Sequence, residues 1–412
     1  MAIVHKTAQV LAVMLLAGSG LALLLRSDAG AQTARENAAE LRPLYAMGVD
    51  IAEGKQLATS VCSKCHGLDG IAKVKEVPNL AGQRPSYLYR ELKAYQAGDR
   101  TNADMIEKVK FLSDDAIVKV AAYYASLDSA LAPDTPAPTF VDPVDAGKSA
   151  AAPCAKCHEE SGISKTAGVP NLIGLSPKYL IDTMKAYQGG EDRKLDAKNE
   201  KMKKALDNLS EKDLGHIALY YALQSESLTR AQTPNEGSTA VTKETLAQCV
   251  KCHGEDGVGT SPATPSLAGQ DASYMLKALT AYKDGSRDDD VMSPRAKKLS
   301  DEDKPNLVAF YSSLTPKPTG VAKPLTPVEW ADKCDRCHGA NGNSARPNVP
   351  ALASQRLDYL TKVLKDYQTG VRQSKEMSAM SSVLTDDDIN GLAAHYAYQK
   401  SKSVVFVTVP SK

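Results

Sequence analysis

The apolar and polar positions of this chain follow a register that recurs four times between residues 48 and 402. In each repeat, a Pro-x-Leu step is followed nine residues later by a tyrosine, and a second tyrosine comes eight residues after the first. Residues eight apart lie on one face of an α-helix, so each pair predicts a helix that turns its tyrosines toward a core. The pairs are Tyr87 and Tyr95, Tyr179 and Tyr187, Tyr274 and Tyr282, and Tyr359 and Tyr367.

A closing helix is predicted at the end of each repeat, where a hydroxyl residue precedes acidic ones, as in Thr385-Asp386-Asp387-Asp388. Ser and Thr cap free N–H groups at a helix start, and acidic residues there match the helix dipole. The caps are Ser113, Ser210, Ser300 and Thr385, and the tyrosines eleven residues later are Tyr124, Tyr221, Tyr311 and Tyr396. Each repeat should therefore contain an opening helix, an irregular loop, a tyrosine helix, a methionine-bearing loop and the closing helix.

Proline-rich or polar segments separate the repeats. Residues 128–146 and 315–328 carry four prolines each, a density typical of semi-rigid spacers, whereas residues 225–240 are mainly polar. We therefore predict an all-α protein of four tandem domains. These domains span residues 48–130, 141–228, 238–316 and 324–402. Domains of this size bury little apolar surface on their own.

Residues 1–31 are typical of a secretory signal peptide. Lys6 precedes an apolar run from Val10 to Leu25, and Ala29-Gly30-Ala31 provides a small-residue cleavage pattern. The run of 16 residues is shorter than the roughly 20 that span a bilayer. Cleavage and a periplasmic location are therefore expected, and an uncleaved membrane anchor is the alternative.

The composition limits the function classes. With 50 basic and 49 acidic residues the net charge is +1, which argues against a nucleic-acid partner because phosphate binding needs a basic excess. The mean hydropathy of -0.32 excludes a multi-span membrane protein. Aromatic residues make up only 5% of the chain. Something other than side chains is therefore expected to fill the small cores.

All eight cysteines fall in four Cys-x-x-Cys-His units. These units are Cys62, Cys65 and His66; Cys154, Cys157 and His158; Cys249, Cys252 and His253; and Cys334, Cys337 and His338. The spacing is typical of c-type haem attachment, in which two thiols bond to the haem vinyl groups and the histidine binds the iron.

Three other interpretations account for the cysteines less well. A disulfide framework leaves the histidine of each unit unexplained. Zinc ribbons place their cysteine pairs about 15 to 20 residues apart, whereas the first cysteines here are separated by 92, 95 and 85 residues. A thioredoxin-like pair would need a βαβ context, which the pattern does not predict. We therefore expect four covalent haem c groups with their iron.

A methionine at a fixed distance from the closing helix is the expected second iron ligand. Met105, Met202, Met292 and Met377 each stand eight residues before a cap. Packing residues would tolerate drift in that spacing, so Met184 and Met275 are better explained as core residues, while Met380 lies close enough to rival Met377. His/Met ligation raises the reduction potential and closes the iron to substrates, which favours electron transfer over catalysis.

Together these motifs resemble the class I c-type cytochromes, and most closely the two-haem cytochrome c-four type. The first repeat carries the resemblance in Cys65-His66-Gly67, Pro78-Asn79-Leu80-Ala81-Gly82-Gln83, Tyr87-Leu88, Gly98-Asp99-Arg100-Thr101-Asn102, Met105 and Leu112-Ser113-Asp114. The resemblance implies all-α domains packed in pairs. It also implies that a proline carbonyl accepts a hydrogen bond from each ligand histidine, a role that falls to Pro78, Pro170, Pro265 and Pro350.

The second repeat departs most from the common pattern. Glu159 replaces the glycine after the motif histidine, and 15 residues rather than 10 separate Tyr187 from Met202. Without a Met202 ligand that iron could bind a small molecule or catalyse; the favoured alternative is a solvated surface insertion, because loops tolerate added length. In the third and fourth closing helices, Pro305 is expected to cost little, and Gly391 either weakens its helix or allows close packing.

These observations favour an exported four-haem cytochrome that carries single electrons between redox proteins and has no catalytic residues. The alternative is an enzymatic role, as the cytochrome subunit of a dehydrogenase or as a haem oxidoreductase with an open position in the second repeat. Haems kept only as structural cores are a third and less favoured interpretation. A membrane-bound oxidase or dehydrogenase would be a suitable partner.

Overall fold

The computed structural model describes residues 42–189, 199–224 and 241–402, and the regular elements in those ranges are helices. The all-α prediction is confirmed. The predicted signal segment and the polar connection near residues 225–240 lie outside the described residues. None of the helices in the described ranges has the length and apolar character needed to cross a membrane.

Each repeat is built from the same four helices, which we name for the residues they carry. The motif helices are Gly48–Val61 with Ser63–His66, Pro143–Ala150 with Ala155–His158, Lys243–His253, and Pro327–His338. The tyrosine helices are Pro85–Ala97, Pro177–Gly189, Ala272–Asp284 and Leu357–Thr369. The methionine helices are Ala103–Val109, Asn199–Leu206, Met292–Lys298 and Lys375–Ser381. The closing helices are Asp114–Ser126, Glu211–Leu223, Asp303–Ser313 and Asp386–Ala397, and short 3-10 turns occur at Arg42–Tyr45 and Ala340–Gly342.

The predicted caps open three of the closing helices. The hydroxyl oxygens of Ser113, Ser210 and Thr385 each accept the backbone N–H three residues later, at 3.2 Å. In repeat 3, Ser300 makes the same contact, but the helix begins only at Asp303 rather than directly after the cap. Pro305 then lies in the first turn, where a backbone N–H has no partner within the helix, so the proline costs little.

The methionine segments are helices of seven or eight residues, and the prediction that they form loops was wrong. A short polar side chain three residues earlier accepts the methionine N–H in three repeats: Asn102 for Met105 at 3.0 Å, Asp289 for Met292 at 2.7 Å and Ser374 for Met377 at 3.3 Å. Asn102 and Ser374 thereby cap and stabilise the starts of their helices, whereas Asp289 lies two residues before the N-cap Val291. The polar residue at that fixed offset was the sequence signal for the helix.

The chain forms two compact units that do not follow the order of the repeats. Among the described residues, unit 1 contains 42–140 and 325–402 and so combines repeats 1 and 4. Unit 2 is residues 141–324 and combines repeats 2 and 3. The pairing of domains that the resemblance implied is therefore present, with one pair inserted in the sequence of the other.

The motif helix packs against the closing helix in repeats 1, 2 and 4. In repeat 4 this contact depends on Gly391, because a Cβ atom there would lie 2.6 Å from Cγ of Pro327 and 3.4 Å from Cδ2 of Phe140. Of the two expectations for Gly391, close packing is thus the correct one. Four hydrophobic clusters, one in each repeat, form the cores of the two units.

Candidate haem-binding sites

Each of the four motif histidines makes the same kind of hydrogen bond to a proline carbonyl. The resemblance implied this contact and the structure confirms it. Nδ1 of each buried ring lies 2.9 or 3.0 Å from the carbonyl oxygen of the proline twelve residues later. The four pairs are His66 with Pro78, His158 with Pro170, His253 with Pro265, and His338 with Pro350. A carbonyl can only accept, so Nδ1 carries the proton and Nε2 keeps a lone pair for a metal.

Burial holds these histidines in the form that binds iron. Desolvation lowers the pKa of each motif histidine below its ordinary value, and the proline carbonyl opposes that shift only partly. A buried imidazole without a carboxylate partner prefers to stay neutral. The neutral ring, with Nδ1 engaged and Nε2 free, is the ligand that haem iron requires.

The cysteines are free thiols in all four motifs. The first cysteine of each pair packs against the hydrophobic cluster of its repeat. Burial raises the pKa of the Cys62 thiol to about 11, and it raises the pKa of Cys154, Cys249 and Cys334 as well. The second cysteine is exposed in repeats 1, 2 and 4.

This donor set fits a covalent haem. Two unpaired thiols three residues apart, of which the second is exposed in repeats 1, 2 and 4, stand beside a neutral imidazole whose Nδ1 is engaged by the proline carbonyl. The residues that the structure describes contain no group of three or more His, Cys, Asp or Glu side chains suited to hold a metal ion by themselves. Two thiols and one imidazole in each motif are the groups by which a chain holds a covalent haem, in which the porphyrin supplies most of the ligands of the iron.

The four methionines predicted as ligands are half-buried. Met184 and Met275 are buried in hydrophobic clusters, as expected of core residues. Met380 is 37% exposed, whereas its rival Met377 is half-buried. Met202 lies on the helix that follows the long segment of repeat 2, and it packs against the hydrophobic cluster of that repeat.

The residue after each motif histidine adopts a positive φ. Gly67, Gly254 and Gly339 all have φ 75°, and a Cβ atom at any of them would clash with the backbone that follows. In repeat 2 the same position is Glu159, with φ 61° and ψ 161°. Backbone of this kind is essentially restricted to glycine, so Glu159 marks strain beside the motif histidine His158.

An arginine cluster at the junction of repeats 1 and 4 was not found from the sequence. Glu91 Oε2 accepts hydrogen bonds from Arg100 at 2.7 Å and from Arg372 at 2.8 Å. Arg372 also donates to the Tyr87 hydroxyl at 3.1 Å, and Arg100 lies over the Tyr95 ring. The signal was an arginine five residues before the methionine, which recurs in three repeats as Arg100, Arg287 and Arg372.

Comparisons with known proteins agree with this chemistry. The Cytochrome c family matches residues 51–128. The family described as "Cytochrome C oxidase, cbb3-type, subunit III" matches residues 236–310 and 328–395. These matches cover repeats 1, 3 and 4.

Several relatives each match about two fifths of the chain. Cytochrome c4 of Pseudomonas aeruginosa is 34% identical over 181 residues, which cover 41% of this chain and 87% of that protein. The thiosulfate dehydrogenase electron acceptor of Thiomonas intermedia is 32% identical, over 39% of this chain and 83% of that protein. The crystal structure of reduced cytochrome c4 from Pseudomonas stutzeri is 29% identical, covers 42% of this chain and 98% of that one, and has a TM-score of 0.35. The chain belongs to the class I c-type cytochromes, near the cytochrome c4 type, and its cofactor is covalent haem c at four sites.

Proposed function

We propose that this chain is an exported four-haem electron carrier that passes single electrons between redox proteins in the periplasm. The observation that carries the proposal is the fourfold contact between a buried motif histidine and a proline carbonyl. A chain that kept haem only to fill a core would need no such control over its ligand. The repetition indicates that all four irons serve the same redox chemistry.

Each group of residues has a defined task in this proposal. The bound haem supplies reversible one-electron chemistry at its iron. The cysteines tether the group covalently, and the proline carbonyl holds the imidazole in one orientation and one tautomer. The predicted ligands Met105, Met202, Met292 and Met377 would close the sixth position, which keeps the iron from binding substrates and favours electron transfer.

A second candidate function is that of electron acceptor for a dehydrogenase. Two relatives carry the name thiosulfate dehydrogenase electron acceptor, which motivates a dehydrogenase as donor. The strained Glu159 and the long segment before Met202 mark repeat 2 as the place where an iron with an open position would occur.

Mass spectrometry and EPR of the exported protein separate an electron carrier from an enzyme with an open iron position in repeat 2. We expect a mature protein that has lost residues 1–31, gained four haems, and shows four low-spin signals. Met377→Ala should convert one haem to a high-spin or ligand-binding form, while the matched variant Met380→Ala should leave all four low-spin. A high-spin haem in the unmodified protein that is unaffected by Met202→Ala would favour the enzymatic alternative, and fewer than four haems would refute the carrier proposal.

A further inference from the structure

The peptide group that receives the histidine hydrogen bond also makes a contact with the other repeat of its unit. Pro78 supplies its carbonyl to His66, and the N–H of the same peptide belongs to Asn79. That N–H donates to Oε1 of Gln355, in repeat 4, at 2.8 Å. His66 is thus connected to a side chain 289 residues away through one shared peptide group.

The reciprocal contact is present in the same unit. The carbonyl of Pro350 accepts from His338, and the N–H of that peptide, at Ala351, donates to Oε1 of Gln83 at 2.8 Å. Each repeat of unit 1 therefore supplies a glutamine to the other repeat's ligand peptide, by which we mean the peptide group whose carbonyl accepts from the motif histidine. Gln83, Gln355 and Asn79 are buried, whereas Pro78, Pro350 and Ala351 are half-buried, so water has little access to the glutamine side chains.

Unit 2 contains only half of this arrangement. The N–H of Asn171, which follows Pro170, donates to Oε1 of Gln270 at 2.7 Å. The glutamine stands five residues after the proline in repeats 1, 3 and 4, but in repeat 2 that position is Leu175. A leucine has no acceptor, so the ligand peptide of repeat 3 receives no glutamine from repeat 2.

The hydrogen bonds fix the orientation of each glutamine amide. Oε1 of Gln355 accepts a second N–H, from Arg356 at 3.0 Å, while its Nε2 donates to the Asn79 carbonyl at 2.9 Å. Gln83 and Gln270 repeat this pattern with the residue that follows them. A flipped amide would place its NH2 group against two N–H donors, so the oxygen is the acceptor at all three sites.

We propose that these glutamines are positioning residues that tune the haem of the other repeat in their unit. An acceptor on the peptide N–H pushes electron density onto the carbonyl oxygen, because hydrogen bonds in a chain polarise one another. A stronger carbonyl acceptor makes the imidazole a more basic ligand, which stabilises ferric over ferrous iron. Gln355, Gln83 and Gln270 lower the potentials of the haems in repeats 1, 4 and 2, and Leu175 leaves the haem of repeat 3 higher.

This inference rests on the proposed function, since it requires a haem at every motif. The test is a redox titration of the full-length holoprotein that resolves four midpoint potentials, with each haem assigned by NMR. Gln355→Leu should increase the equilibrium constant for reduction of the repeat 1 haem about threefold. At 59 mV per tenfold, this raises its midpoint potential by roughly 28 mV. Gln83→Leu should raise that of repeat 4 by a similar amount.

A merely structural role predicts a different outcome. If the glutamines only held the repeats together, Gln355→Leu would loosen the junction and move both potentials of unit 1 alike. A shift of the repeat 1 haem alone supports the tuning role, and equal shifts or no shift overturn it. Haem content by mass is measured separately, so a loss of haem in the unmodified protein would refute the proposed function and not this inference alone.

The decisive variant adds a contact rather than removing one. Leu175→Gln supplies the missing glutamine of unit 2 and should lower the potential of the repeat 3 haem by the same factor. Gly215→Ala, on the closing helix of repeat 2, is the control and should change no potential. If Leu175→Gln folds with four haems and leaves the repeat 3 potential unchanged, the inference is wrong. If it does not fold, the variants Gln355→Leu and Gln83→Leu decide the question.

Discussion

At the scale of single residues, repeat 2 differs from the other repeats in the backbone next to the motif histidine. Three repeats use a glycine where the chain turns away from the motif histidine, while repeat 2 holds Glu159 in the same unfavourable conformation. Strain of this kind costs about 1 to 3 kcal/mol and persists only where the surrounding structure enforces it. The identity of one side chain therefore sets repeat 2 apart.

Glu159→Gly should stabilise unit 2. Releasing the strain is worth about 1 to 2 kcal/mol in the free energy of unfolding, and the lost ion pair with Lys165 is exposed and contributes little. Denaturant unfolding of the holoprotein measures the change. Gly254→Ala, at the same position of repeat 3, is the opposite control and should destabilise unit 2, because its Cβ has no room. A Glu159→Gly variant no more stable than the parent would contradict the strain.

The Glu91 carboxylate is expected to influence the potentials of the unit 1 haems. The carboxylate is 17% exposed and lies between Arg100 and Arg372, which are 17% and 9% exposed. A poorly solvated anion favours ferric iron, so Glu91→Gln should raise the potentials of the unit 1 haems, on the order of tenfold or 59 mV. Glu107→Gln removes a 63% exposed carboxylate from the same repeat and should have little effect. Equal shifts for the two variants in a redox titration would count against a special role for Glu91.

At the scale of elements, the contact between motif and closing helices decides where a small residue is needed. Helix propensity alone predicts that a glycine inside a closing helix is a defect of about 1 kcal/mol relative to alanine. Gly391 and Gly215 are both such glycines. Their surroundings differ: Gly391 touches Pro327, whereas a Cβ at Gly215 would meet nothing within 4 Å.

The two glycines should respond to alanine with opposite signs. Gly391→Ala forces its Cβ into the Pro327 ring, and overpacking of this kind costs about 1 to 3 kcal/mol, more than propensity returns. Gly215→Ala gains propensity without a clash and should stabilise by about 0.5 to 1 kcal/mol. Thermal or denaturant unfolding of both holoprotein variants checks the signs. Stabilisation by both would mean that Pro327 moves aside freely.

At the scale of the whole molecule, the pair formed by repeats 2 and 3 lies in the sequence between the two segments that form the other pair. Residues 141–324 form a compact unit of their own, and its two ends are joined by an ion pair between Asp142 and Lys323 at 3.1 Å. The other unit collects the two outer segments of the chain. The glutamine contacts join repeat 1 to repeat 4 and repeat 2 to repeat 3.

A chain reduced to residues 141–324 behind an export signal should mature as a two-haem protein. Its core and its glutamine contact lie within that range, so we expect cooperative unfolding and the potentials that repeats 2 and 3 have in the full chain. Mass spectrometry and redox titration measure both properties. A fragment comprising repeats 1 and 2, residues 42–224, is the control and should lack a stable junction. Equal stability of the two fragments would show that pairing follows sequence order.

The sequence by itself determined what depends on short spacings. The haem motifs, the histidine contact with proline twelve residues later and the helix caps are all set by residues within a turn or a loop of one another. It predicted three closing-helix starts correctly, and it missed the methionine helices because the polar residues three positions before the methionine, Asn102, Asp289 and Ser374, were not recognised as signals of a helix start. Because the same spacings recur four times, these local features can be distinguished from chance, which a single copy would not allow.

Only the tertiary structure decided which repeats pair and what they share at the junction. Gln355 meets Asn79, and Arg372 meets Glu91, across more than 270 residues. Four similar repeats can pair in several ways that their common motifs do not distinguish. The choice depends on a few complementary polar groups that are buried and must be satisfied together. The glutamine and the arginine recur at fixed positions of three repeats, but that register does not say which repeat supplies the partner, so the partners become identifiable only when the fold brings them into contact.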